Sequence, residues 1–177
     1  MVTRTCKYCS TKNRSKARFC RQCRQPFPTG VEIFFSYAHE DEALRDKLAK
    51  HLSLLQRQGV VTLWHDRNIN TGTDWSYSID QHLQIAEIIL LLVSANFIAS
   101  DYCYSIEMQR AMDRSDREEA IVIPIILRPV DWESAPFGRL QALPKDAKPV
   151  ATWSNVDQAL LNTAEGIRRV IKDNYIP

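Results

Sequence analysis

Glu107 stands four residues after Cys103 and three after Tyr104, a spacing that places a carboxylate, a thiol and a phenol on one face of a predicted helix. In a cleft, a carboxylate so flanked could take up protons or offset a developing positive charge. The residues before it supply the setting. Ile88-Ile89-Leu90-Leu91-Leu92-Val93 is an apolar run of strand length, suited to the centre of a parallel sheet and ended by Ser94. Ser100-Asp101 is an N-cap pair, and Tyr102 to Ala111 reads as the helix that follows. Glu107 is thus expected in the second turn of a helix that starts beside the carboxyl end of a buried strand, where open α/β sheets bind ligands. These residues alone leave standing a plainer reading, an exposed glutamate paired with Arg110 one turn on.

A second constellation lies at the start of the chain. Cys6 and Cys9, then Cys20 and Cys23, form two C-x2-C pairs with ten residues between them. Each pair lets two thiolates face one ion, and two pairs complete a tetrahedral four-cysteine Zn²⁺ site. The spacing predicts a zinc ribbon over residues 1–25, too short for a core of its own and folded by its metal. Disulfides are the alternative, disfavoured in a reducing compartment. Residues 26–31 read as a stiff linker and 32–177 as the main domain. Residues 1–30 hold eight Lys or Arg and no Asp or Glu, whereas 31–177 hold fifteen basic and twenty-one acidic residues, so +8 and −6 make up the net +2. A basic ribbon could bind nucleic acid, a protein partner or the chain's own acidic domain.

The elements that must position Glu107 alternate along the chain. Val31 to Ser36 is a strand; the next helix carries Leu44, Leu48, Leu52 and Leu55 on one stripe and ends at Gly59. Val60 to Trp64 is a second strand, His65 to Asp74 a polar loop, and Trp75, Ile79, Leu83 and Ala86 the apolar stripe of another helix. After the Glu107 helix, Ala120 to Leu127 is a fourth apolar run, and Pro124 within it argues for an edge position or a bulge. Pro149 to Trp153 reads as a weak fifth strand and Val156 to Tyr175 as the last helix. Strict alternation predicts a parallel sheet with helices on both faces. The five glycines are scattered, so neither a G-x-G-x-x-G loop nor a Walker A loop exists, and there is no G-x-S-x-G elbow. The four histidines are isolated, with His51 and His82 expected on helix surfaces. With no apolar h-region and no stretch long enough for a membrane helix, the expectation is a cytoplasmic protein without a membrane partner.

From about Glu32 to Tyr175 the order of these pieces resembles the Toll/interleukin-1 receptor (TIR) domain family, in particular its free-standing bacterial members. The resemblance rests on Ile33 to Asp41, on the loop Asp66 to Trp75, on Ser94 to Glu107, and on Pro124 to Arg128 with Asp131-Trp132. It implies a flavodoxin-like fold with a five-stranded parallel sheet and, for many bacterial members, cleavage of NAD⁺ at the nicotinamide–ribose bond. NAD⁺ would then be a substrate and Zn²⁺ a structural ion. On this resemblance Glu107 is the catalytic residue, and Ser36, Tyr37, Ala38, Asp66, Cys103 and Tyr104 contact substrate. Asn68, Ile69, Gly72 and Trp75 belong to a loop that gates the site or packs on a second copy, making the protein a homo-oligomer and an effector of antiviral or cell-suicide signalling. The family often has Trp where this chain has Cys103. Two rival readings are a non-catalytic scaffold that uses the same surfaces for homotypic binding, and a nucleic-acid binder led by the ribbon.

Overall fold

The computed structural model describes residues 3–6, 8–14, 17–27, 30–65 and 75–176, with the backbone alone for 75–78. Among them, Thr3–Thr5 (β1) and Lys12–Arg14 (β2) form a small antiparallel pair that carries the first cysteine knuckle between its strands. The rest is one α/β layer structure. Val31–Ser36 (β3), Val61–Trp64 (β4), Ile88–Val93 (β5) and Ile121–Ile126 (β6) form a parallel sheet in the order β4-β3-β5-β6.

β5 is buried at every position because both faces of the sheet are covered. Ile88, Leu90 and Leu92 point into one core with Glu42–His51 (α1), Ser53–Arg57 (α2) and Val156–Asn174 (α6). Ile89, Leu91 and Val93 point into the other with Trp75–Ile85 (α3), Ala95–Ala99 (α4) and Met108–Asp116 (α5). The period of two along one strand therefore assigns each helix its face. Gly59, at φ +68°, turns the chain from α2 into β4, a conformation that costs other residues. None of the helices among the described residues is long and apolar enough to cross a membrane.

Two expectations are corrected. The sheet has four strands, not five: Val150–Thr152 is a 3-10 turn behind Pro149, and only the Ala151 N–H reaches back, to Leu127 O at 2.9 Å. A proline at the start of a would-be strand withholds one ladder donor, and past β6 a single bridge between Ile125 and Leu143 takes the strand's place. The edge position expected from Pro124 is where β6 lies. His82 is also not a simple surface residue: its ring stacks on Trp64 at 4.3 Å, and its Nδ1 lies 2.7 Å from Glu32 Oε1.

Candidate active site

Three parallel strands end side by side, and their following segments enclose a cleft of about 480 Å³. That size is ordinary for a small-molecule site, and its place at the carboxyl ends of the strands follows from the topology. β3 supplies Phe34 and then Tyr37, Ala38, His39 and Glu40; β4 supplies Trp64; α4 and the segment after it supply Asn96, Ala99, Ser100, Tyr102, Cys103 and Glu107. Phe34 and Trp64 stack at 5.2 Å and give the cleft an aromatic wall.

Glu107 is 5% exposed and accepts a hydrogen bond from Ser36 Oγ, at the last position of β3. Arg110, its alternative partner, pairs instead with Asp80 of α3. The helix that carries Glu107 differs from the expected one. Asp101–Glu107 is a π-helical stretch that passes into α5, and Ser100 caps it by accepting the Cys103 N–H at 3.3 Å. Wider turns advance by roughly 80° per residue instead of 100°, so the residue five before Glu107 comes onto its face while the residue three before swings away. Tyr102 accordingly lines the cleft, whereas Tyr104 packs against the core beside it. Burial, and secondarily the negative charge of Glu107, push the Tyr102 phenol up to about 12. The buried Cys103 thiol donates to Tyr37 O at 3.3 Å, tying this stretch to the segment after β3.

A second tie lies beneath. Asp41, fully buried, accepts from Ser94 Oγ and from Arg128 Nε at 2.8 Å. Ser94 in turn caps α4 by accepting the Phe97 N–H at 3.1 Å. One carboxylate thus fastens the segments that follow β3, β5 and β6, which is the frame of the cleft.

Of the residues assigned by resemblance, Tyr37, Ala38, Cys103 and Glu107 line one cavity, with Ser36 bonded to Glu107 behind them. Asp66, Asn68, Ile69 and Gly72 lie outside the described residues, as does the side chain of Trp75, whose backbone starts α3. Phe34, His39, Trp64, Asn96 and Ser100 were missed as cleft residues. The topology offered the signal for Trp64, which ends β4, and for His39 and Asn96, which follow β3 and β5 within three residues; Phe34 lies inside β3 and Ser100 beyond α4, where no local signal marks them.

The four cysteines form a separate centre. All four Sγ atoms lie within 4.8 Å of one another, with Cys6–Cys23 at 3.5 Å and Cys9–Cys20 at 3.6 Å. These gaps far exceed a disulfide and approach the roughly 3.8 Å edge of a tetrahedron with 2.3 Å metal–sulfur bonds. Cys20 Sγ also accepts from Gln22 N–H at 3.4 Å and Asn13 Nδ2 at 3.6 Å. Burial works against its thiolate, but backbone N–H groups of Cys23 and Gln22 outweigh it and bring Cys20 down to about 6. The donor set fits a thiophilic divalent ion.

The basic module sits on the α/β layers. Arg4 Nε lies 2.6 Å from Glu87 Oε1, both nearly buried, and Lys12 Nζ lies 3.0 Å from Glu119. Thr3 donates N–H and Oγ1 to Glu118 O at 2.9 and 3.1 Å. Glu87 Oε2 further accepts the Glu32 N–H at 3.0 Å. Burial raises the Glu87 carboxyl above the usual range, a rise that Arg4 partly offsets.

Comparison with known proteins bears on the larger part. The family profile described as "TIR domain" matches residues 33–160. An uncharacterised protein of Sinorhizobium fredii, y4lF, is 60% identical over 136 residues, which are 77% of this chain and 42% of that protein, so the chain spans less than half of its length. Among solved structures, the TIR domain of the Toll-related receptor TRR-2 from Hydra magnipapillata superposes with a TM-score of 0.54 at 19% identity, covering 79% of this chain and 97% of that one. The last likeness is one of fold; with the profile spanning most of the sequence, the chain belongs to the TIR domain family.

Proposed function

We propose that the cleft cleaves NAD⁺ at the nicotinamide–ribose bond, with Glu107 as the catalytic residue. The observation that carries the reading is a buried carboxylate, fixed by Ser36, at the inner end of an aromatic-walled cleft. Nicotinamide leaves as a neutral molecule, so the barrier lies in the oxocarbenium-like charge that develops on the ribose. A carboxylate that accepts hydrogen bonds from the ribose hydroxyls offsets that charge without a second acid. Glu40 also lines the cleft, but it is exposed at the mouth. Tyr37, Trp64 and Tyr102 offer flat surfaces for the nicotinamide ring. Water attacking the ribose carbon gives ADP-ribose and a proton; attack by the adenine or a ribose hydroxyl of the same molecule gives a cyclic product.

The ion held by the four cysteines is Zn²⁺ in this reading, and its role is to fold residues 1–25. The protein works in the cytoplasm as a self-assembling effector, its 66–75 loop packing on a neighbouring copy, so specific activity rises with protein concentration. The deciding experiment is Glu107→Gln. Gln is nearly isosteric, and losing one preorganised charge should lower turnover by roughly 10²–10³-fold with the melting temperature nearly unchanged. Nicotinamide release is followed by chromatography at high protein concentration. A folded variant that retains more than about a tenth of wild-type turnover removes Glu107 from catalysis and favours the non-catalytic scaffold.

A further inference from the structure

We propose that the second cysteine knuckle is a contact surface for single-stranded nucleic acid. Among the described residues, the basic side chains of the first thirty divide by position; Lys7 and Lys16 lie outside them. Arg4 and Lys12 are engaged by Glu87 and Glu119 of the α/β part. Arg14, Arg18, Arg21 and Arg24 are exposed, and three of them flank Cys20 and Cys23. Around this knuckle the chain closes tightly: Cys20 N–H donates to Gln25 O at 2.8 Å, Arg24 N–H to Cys20 O at 3.0 Å, and Phe19 bridges to Pro26. The turn therefore holds Arg18, Arg21 and Arg24 close together with Phe19, whose ring is 60% exposed.

Three features favour a nucleic acid over an acidic protein. The exposed cations described around this knuckle are arginines, whose planar forks fit phosphate and stack on bases; Lys12, also exposed, lies on β2 and is paired with Glu119. An uncovered aromatic ring among them is a stacking platform, which an acidic peptide does not use. The remainder of the chain carries −6, so a polyanion is drawn to the ribbon and repelled elsewhere. A divalent ion on four thiolates lowers the ribbon from +8 to +6 and leaves that asymmetry in place.

The test is fluorescence anisotropy of the full 177-residue chain with a labelled mixed-sequence single strand of about 20 nucleotides, over roughly 50 to 200 mM salt. Binding should weaken with salt at a slope of roughly −0.7 for each arginine engaged. Arg18→Glu with Arg21→Glu and Arg24→Glu should reduce affinity more than about tenfold and flatten the slope by about 2. Phe19→Ala should lose about fivefold or more with the slope unchanged. Arg18→Lys with Arg21→Lys and Arg24→Lys should keep the slope and lose affinity, which separates charge loss from misfolding; metal content provides the same control. Glu107→Gln should bind as the wild type does, so this inference stands whether or not the cleft is catalytic. Absence of binding at low salt, binding unchanged by charge reversal, equal affinity for the matching duplex, or equal displacement by poly-glutamate would each overturn it.

Discussion

Ser36 and Glu107 are 71 residues apart in sequence and share one buried hydrogen bond. In the proposed reaction that bond orients the carboxylate before the ribose arrives. Ser36→Ala removes the donor while leaving the strand's packing in place, and a charge-assisted bond in a buried site is worth about 1.5–3 kcal/mol. The expected result is a loss of roughly ten- to a hundredfold in turnover of NAD⁺, smaller than that of Glu107→Gln, with KM little changed. Wild-type turnover in Ser36→Ala would mean that the carboxylate needs no such support. The place of Glu107 was legible in sequence because an apolar strand and an N-cap pair lead into its helix; the role proposed for it came from the family resemblance. Its pairing with Ser36 was not read from the sequence, where the resemblance made Ser36 a substrate contact, since no local pattern links position 36 to 107.

At the scale of elements, the alternation of apolar runs and amphipathic stripes was enough to predict β3 to β6 and the longer helices between them, because each run has one periodicity and a clear stop; the short α4 falls where a loop was expected, and α1 and α2 divide what read as one helix. What failed was what long-range contacts decide. The segment 150–152 has strand composition, yet Pro149 and the neighbouring loop turn it into a 3-10 coil. The π-helical stretch adds one residue to a turn, which hydrophobic spacing cannot register, and this exchanged Tyr104 for Tyr102 in the cleft. Ser100 holds the start of that stretch. Ser100→Ala should cost about 1 kcal/mol and lower the melting temperature by about 2–4 °C. Because the freed Cys103 N–H lies one turn from Glu107, turnover should fall severalfold as well, to be read beside the melting curve. An activity that tracks only the fraction folded would show that the cap serves stability alone.

At the scale of the whole molecule, the Arg4–Glu87 pair is the most buried of the ion pairs that the described residues of the ribbon make with the α/β part. Removing one partner of a buried pair is costly, so Arg4→Ala should destabilise the chain by about 3–5 kcal/mol near neutral pH. The pH dependence has a definite sign. A carboxyl whose folded pKa is raised holds its proton more tightly when folded, so stability is lost as pH climbs from the ordinary unfolded value of about 4.3 through the raised one. Arg4 opposes that rise. Without it the raised value moves higher, and the deficit of Arg4→Ala should be larger at pH 8 than at pH 5 in urea melts. Equal deficits at the two values would show that Glu87 does not sense Arg4.

Glu87 also sets how this architecture can be rebuilt. It immediately precedes β5, at the end of the sheet away from the cleft, and its carboxyl is met from the ribbon by Arg4 and by the Glu32 N–H. The α/β half is therefore not a cassette with a blank plug. Joined to another amino-terminal module, it would carry a carboxyl that keeps the Glu32 N–H but has lost its Arg4 partner. A fusion that exchanges the ribbon should therefore melt higher with Gln than with Glu at position 87, whereas in the native pairing with Arg4 the order should reverse.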